Sequence, residues 1–321
     1  MTLSVVVPVY RCTPCLRPLR ERVIGAVEDL VEDFEIVLVD DRGGDGAWAE
    51  ITRLSREDPR VRGVRLSRNF GQHAAITAGL AAARGDWAVL MDCDLQDPPE
   101  EIPRLWAKAA EGYDIVYGRR RSKPTGLLRR LVGRFYFKAL NVFAGAGIDG
   151  EYGTFSLISR KVIDGFLRFR DRDRHYLLIL HWLGFDNASV DYQPAERFAG
   201  QSSYSLTGLI RHGLDGVFFQ TTVLLRWVVY LGFLLASLGV AAATYFTVAR
   251  IVGTAYPGWT STAVITLIAS GFIVGSTGIT GLYIGKVFEQ VKDRPLYLID
   301  REVADGVEAE PAPTGRHDRA G

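Results

Sequence analysis

The sequence predicts an α/β fold with a mainly parallel sheet, followed by a helical membrane segment. Three observations predict it. Apolar, β-rich runs alternate with helical stretches through the first part of the chain. Acidic pairs stand where two of those runs end, at Asp40-Asp41 and at Asp92-Cys93-Asp94. In the last third charge nearly vanishes between Arg226 and Lys286, although the whole chain balances 38 basic against 37 acidic side chains.

The elements follow in order. Leu3–Val9 reads as a buried strand and Leu16–Val31 as a helix. Glu35–Val39 is a strand ending in the first acidic pair. Helix Ala47–Glu57 leads to strand Val61–Leu66, and helix His73–Ala83 to strand Trp87–Met91, which ends in the second pair. Helix Pro99–Glu111 and strand Ile115–Tyr117 complete the series. Such alternation argues for a doubly covered sheet. Ligands of such sheets bind beyond the carboxyl ends of strands, where the acidic residues lie. The opening MTLSVVVPVY lacks a basic n-region and a small-residue cleavage site, so it reads as a strand of a cytoplasmic domain.

Two stretches have basic or apolar helical faces. In Leu127–Phe143, Arg130, Arg134 and Lys138 fall four apart on a helix with an apolar face. That is an interfacial helix or a packed helix with a solvated side. Leu206–Phe219 repeats the apolar spacing. Val228–Ala249 is uncharged and long enough to span a bilayer core, and a second uncharged stretch runs from Ile251 to Gly285. Pro257-Gly258 marks a turn between them, flanked by Tyr256 and Trp259. The expected hairpin is Arg226–Arg250 and Thr260–Gly285. Arg211, Arg226, Lys286, Lys292, Arg294 and Arg301 flank its chain-end side, so the positive-inside rule puts both termini in the cytoplasm. The expected organisation is a catalytic domain over 1–205, an interfacial helix over 206–225 and a hairpin over 226–286. A juxtamembrane segment over 287–303 and a disordered tail over 304–321 follow.

Composition narrows the function. A net charge of +1 exerts no pull toward nucleic acid. Three cysteines are no disulfide framework, and Cys12 and Cys15 read as reduced thiols with no further zinc ligands following. The strongest signal is Asp92-Cys93-Asp94-Leu95-Gln96-Asp97-Pro98-Pro99-Glu100. Two carboxylates one residue apart at a strand end can hold a hard divalent cation, Mg²⁺ or Mn²⁺, completed by water and phosphate oxygens. Pro98-Pro99 starts a helix at a fixed place beyond them.

On these residues the chain resembles the family 2 glycosyltransferases, in the dolichyl-phosphate-mannose-synthase-like branch that uses polyprenyl phosphates. The matching pieces are VVVPVY, VLVDD, SRNFGQHAAITAGLAAARGD, MDCDLQDPPEEIP, VYGRR, GQSSYS and KDRPLY. The resemblance implies a GT-A, Rossmann-like domain that moves one sugar, with inversion, from a nucleotide-sugar to a polyprenyl phosphate at the membrane. It places Pro8 and Tyr10 beside the base, Asp40 on the base and Asp41 near the ribose. Asp92 would face ribose and metal, with Asp94 and Gln96 as metal ligands. Arg120 would meet phosphate charge, and Asp97 joins Asp92, Asp94 and Arg120 in the catalytic set. Arg197, Ser202, Ser203, Tyr204 and Arg294 would approach the acceptor phosphate. A second copy of the chain is kept among the partners. His73 and His175 read as structural.

The sequence departs from the family pattern in three places. Arg11-Cys12 stands where Asn-Glu is usual, Asp40-Asp41-Arg42-Gly43-Gly44-Asp45 replaces DDGSxD, and Gly153-Thr154-Phe155-Ser156-Leu157 replaces a Gly-Asp-Phe-Arg-Leu segment. The alternatives are a processive polysaccharide synthase and a non-enzymatic membrane scaffold. Against the first, Val223 stands where a QxxRW motif ending at Arg226-Trp227 needs Gln.

Overall fold

The computed structural model describes residues 1–121, 152–172, 174–196, 223–252 and 258–310. Its core is a nine-stranded sheet. The strands are β1 (Thr2–Val9), β2 (Asp33–Asp40), β3 (Val61–Leu66), β4 (Trp87–Leu90) and β5 (Ile115–Arg120). They continue with β6 (Tyr152–Ser159), β7 (Asn187–Tyr192), β8 (Ile299–Ala304) and β9 (Val307–Ala309). The order across the sheet is β7-β5-β6-β4-β1-β2-β3-β8-β9. In β1, Val5, Val6, Val7 and Val9 are all fully buried, as a central strand covered on both faces requires.

Helices cover both faces, as expected. On one face α1 (Leu16–Val27), α2 (Ala47–Glu57) and α4 (Ile102–Ala109) contribute Leu19, Ile51 and Leu105. On the other, α3 (Gln72–Ala82), α5 (Arg160–Arg168) and α6 (Tyr176–Leu183) contribute Ile76, Ile163 and Leu177.

The sheet is mixed rather than mainly parallel. β4-β1-β2-β3 and the β5–β7 pair are parallel. β6 is antiparallel to both β4 and β5, and β8 is antiparallel to β3. The helical crossover after β4 brings β5 back in the parallel direction, as a crossover must. β6 then inserts between them, from a part of the chain where no strand was expected.

The C-terminal segment is also corrected. The disordered tail expected from residue 304 does not begin there, since residues 304–309 are paired strand and turn. Residues 299–309 form the β8–β9 hairpin on the edge of the sheet, with Asp305 and Gly306 at its turn. Gly63 on β3 admits this edge. A Cβ built there would lie 2.4 Å from Ile51 Cγ2 and 2.7 Å from Val303 Cγ1. Gly63→Ala is therefore expected to lower stability by about 1–3 kcal/mol through overpacking. Thermal unfolding of the purified protein checks it, and an unchanged midpoint would show that β8 is not seated on Gly63.

The sheet and its helices form one compact unit, to which the chain returns at Pro295. A second unit contains α7 (Val223–Ile251) and α8 (Trp259–Val291), close to the expected boundaries. Gly232 of α7 faces the Phe272 ring of α8, where a Cβ would meet it at 3.4 Å. Within α8, Ile268–Val291 is long and apolar enough to cross a bilayer, whereas the apolar run in α7, Trp227–Ala242, is shorter. Phe233, Val240 and Val274 are 70%, 68% and 71% exposed, an arrangement costly in water.

Candidate active site

The carboxyl ends of β1, β2 and β4 lie side by side, because Val9 pairs with Asp40 and Val6 with Leu90. Pro8 is buried within β1, and Tyr10 stands partly exposed just past it. The Arg11 guanidinium lies 5.2 Å from the Tyr10 ring centroid and its Nε donates to Gly43 O. Gly43 is required for this close approach, since a Cβ would stand 2.6 Å from Arg11 N.

The two acids ending β2 divide their work. Asp40 Oδ1 accepts from Arg42 N at 3.0 Å, and its Oδ2 lies 3.4 Å from Arg65 Nε. Burial pushes the Asp40 carboxyl up, with Arg65 opposing. Asp41 accepts from Phe70 N at 2.7 Å and Gly71 N at 2.9 Å. Both its oxygens hold the loop that opens α3, and Gly71 takes a φ of +94° there. Asp41, expected near a ribose, is buried and accepts from these two backbone amides. The next residue, Gln72, donates to Asp92 Oδ1 at 2.8 Å, so Asp41 positions a partner of the second acidic pair.

Beyond β4 the backbone turns sharply. Leu95 is buried at a φ of +61°, a conformation that costs a non-glycine residue on the order of 1 kcal/mol. Gln96 N donates to Asp94 Oδ1 at 3.2 Å within this turn. Thr154 Oγ1 donates to Asp92 Oδ1 at 3.2 Å, so the residue replacing the family's Asp binds the dyad as a neutral donor. Burial, with the Asp97 and Asp94 charges adding, pushes Asp92 up to about 6, against the pull of Arg120 and Thr154. Cys93 between them is buried, and its thiol is pushed up to about 12.

Asp97 is fully buried and belongs to a network absent from the sequence reading. Its Oδ1 accepts from Arg120 Nη2 at 2.8 Å and Nε at 3.2 Å, and from the Tyr192 hydroxyl. Tyr192 in turn accepts from Arg120 Nε at 2.9 Å. Among the described residues Asp97 Oδ2, which is buried, has no hydrogen-bond partner. Asp97, expected in the catalytic set, holds the Arg120 guanidinium. The guanidinium reaches Asp92 Oδ2 at 3.9 Å and stays charged at every working pH, because burial, the largest single effect and a lowering one, is outweighed by Asp97 and Tyr192 together. Gly153 leaves room for it, since a Cβ would lie 3.3 Å from Arg120 Cζ. Gly153→Ala is expected to displace the guanidinium and lower kcat roughly tenfold with little change in stability. Steady-state kinetics beside a melting curve separates those effects.

The acceptor-phosphate expectations are less accessible. Arg197, Ser202, Ser203 and Tyr204, and the stretches Leu127–Phe143 and Leu206–Phe219, lie outside the described residues. Arg294 is exposed just past the end of α8. The His73 and His175 rings lie 5.0 Å apart, and burial holds His175 below the usual imidazole range. Cys12 and Cys15 are joined as a disulfide rather than free, brought together by the tight turn in which Cys15 N donates to Cys12 O.

The chemistry of the donor set suits a hard cation. Asp92, Asp94 and the Gln96 amide offer only oxygens. Among the described residues no three His, Cys, Asp or Glu side chains gather to hold a metal unaided. A cation at the dyad would therefore draw further ligands from water and substrate.

Comparison with known proteins adds a lineage. Glycosyl transferase family 2 matches residues 4–167. The chain is 32% identical over 305 residues to an uncharacterized glycosyltransferase, YkcC, of Bacillus subtilis, covering 93% of each. It is 34% identical over 308 residues to the undecaprenyl-phosphate 4-deoxy-4-formamido-L-arabinose transferase of Proteus mirabilis, covering 94% of each. A solved structure of glucosyl-3-phosphoglycerate synthase from Mycobacterium tuberculosis, with Mn²⁺, UDP and glucosyl-3-phosphoglycerate, is 21% identical. It matches 68% of this chain and 77% of its own, with a TM-score of 0.46.

Proposed function

The chain belongs to glycosyl transferase family 2, and on that premise we propose that it transfers one sugar from a nucleotide-sugar to a polyprenyl phosphate, with inversion at the anomeric carbon. The observation that carries this reading is the Asp92–Asp94 dyad at the carboxyl end of β4, faced by the Asp97-anchored Arg120. The relative from Proteus mirabilis supports the acceptor class through an undecaprenyl-phosphate acceptor in its name.

The roles follow from charge. Tyr10 and Asp40 would take the nucleoside, and Asp94, Gln96 and Asp92 would hold a Mg²⁺ or Mn²⁺ ion. That ion would neutralise the diphosphate leaving group. Arg120 adds a fixed positive charge where negative charge gathers as the glycosidic bond breaks. The attacking atom is an oxygen of the acceptor phosphate. A phosphate monoester has its second pKa at roughly 6, so the nucleophile is already ionised near neutrality and needs no strong base. That accounts for a reaction site tolerating Thr154 in place of an acid. Alignment and charge neutralisation carry the rate.

The two long helices fit the acceptor. A polyprenyl chain stays in the bilayer, and a pair of spanning helices keeps the enzyme on that surface. In this reading α7 and α8 both cross, and the basic residues at their outer ends, Lys286, Lys292 and Arg294 among them, put the catalytic domain in the cytoplasm.

The test is a donor screen. Purified protein in lipid receives polyprenyl phosphate, Mg²⁺ or Mn²⁺, and labelled UDP-hexoses, UDP-N-acetylhexosamines or GDP-mannose in turn. A single-sugar, metal-dependent, lipid-extractable product from one donor is expected. A polymer would shift the reading to a processive synthase, and no product from folded protein would overturn it.

A further inference from the structure

The departure Asp40-Asp41-Arg42 meets an equally unexpected strand, β8. Arg42 occupies a φ of +54°, where the family pattern has glycine, and its own amide donates to Asp40 Oδ1 at 3.0 Å. A left-handed arginine persists only when its surroundings hold it. Two contacts do so. Arg42 Nε donates to Leu66 O at 3.0 Å, and Nη2 lies 2.6 Å from Asp300 Oδ2.

Asp300 reaches Arg42 through a defect in the sheet. In the β3–β8 ladder Arg65 pairs with Arg301 but Leu66 pairs with Ile299, so Asp300 is the extra residue of a β-bulge. Bulges re-aim a side chain that a regular strand would send elsewhere. Here the re-aimed carboxylate comes from beyond both long helices and meets the loop that carries Asp40. The pair is open to water, with side chains 36% and 33% exposed, so it contributes little to overall stability. What it sets is direction: it pins Arg42, whose amide orients Asp40.

We propose that Asp300 and Arg42 are positioning residues of the donor pocket, through which the C-terminal hairpin tunes nucleotide affinity. This rests on the reading of Asp40 as a nucleoside ligand under Proposed function. Binding of UDP and of GDP, each with Mn²⁺, is measured by calorimetry on the full-length protein in detergent, with donor kinetics alongside. Asp300→Ala is expected to weaken whichever nucleotide the wild type binds by about fivefold, raising donor KM while kcat moves less than about twofold. Asp300→Glu restores affinity. Arg42→Gly, which relieves the backbone, weakens binding as much as Asp300→Ala, and the double variant is no worse than either, as one shared link requires.

Arg301→Ala is the control for seating of the strand. It breaks the 3.0 Å pair with Glu308 without touching Arg42, and it should leave nucleotide affinity unchanged. Unchanged affinity in Asp300→Ala, or an equal loss in Arg301→Ala, overturns the proposal and leaves the transferase reading standing. A wild type that binds neither nucleotide overturns both.

Discussion

Asp94→Ala is expected to remove metal-dependent sugar transfer, lowering kcat by roughly a hundredfold to a thousandfold. The carboxylate stands beside the left-handed turn at Leu95, where its Oδ1 accepts from Gln96 N. Alanine takes away one of the two carboxylates proposed to hold the ion, together with the hydrogen bond from Gln96 N. A second readout separates loss of metal from loss of fold. Mn²⁺ should raise the melting temperature of the wild type and not of Asp94→Ala, since a ligand bound only by the folded state stabilises it. The increment should also shrink as pH falls through about 6. Asp92 in the metal-free fold sits up at about 6, above its unfolded value, so its ionised form destabilises the fold at neutral pH. That penalty is relieved by a proton below 6 or by a cation above it. Full metal-dependent turnover by Asp94→Ala would place the metal elsewhere.

The second large effect lies at Asp97. Asp97→Ala is expected to lower stability by about 3 kcal/mol and to reduce kcat far more than it raises donor KM. The carboxylate is fully buried and takes two Arg120 hydrogen bonds and the Tyr192 hydroxyl on one oxygen. Removing it leaves a half-buried guanidinium without its anion and frees Arg120 to swing from the dyad. Tyr192→Phe should cost less, about 1 kcal/mol, because Arg120 keeps its ion pair with Asp97. Thermal shift in detergent and steady-state kinetics check both variants. A stable Asp97→Ala enzyme with unchanged kcat would show that Arg120 needs no anchor.

Much of this architecture is legible along the chain. Val5, Val7 and Val9 announce a central strand, and Asp92 and Asp94 follow an apolar run that can only end at a sheet edge facing a ligand. The expected helices Arg226–Arg250 and Thr260–Gly285 lie within α7 and α8, and α8 continues to Val291. Asp41, by contrast, is placed near a ribose by the family resemblance. Only the fold shows both its oxygens turned onto Phe70 and Gly71. Cys12 and Cys15 read as free thiols from composition, while the turn between them brings their Cα atoms to 5.5 Å.

The order of elements as far as β5, the two acidic pairs at strand ends and the presence of two long apolar helices are written in the sequence alone. Each is a matter of local period or composition, settled within about twenty residues. The tertiary structure alone decided that β6 divides β4 from β5, that Tyr192 reaches Asp97 across 95 residues, and that Asp300 reaches Arg42 across 258. No periodicity spans such separations. Strand insertion, a shared buried hydrogen bond and a bulged register arise only when distant segments compete for the same sheet edges and the same buried polar atoms.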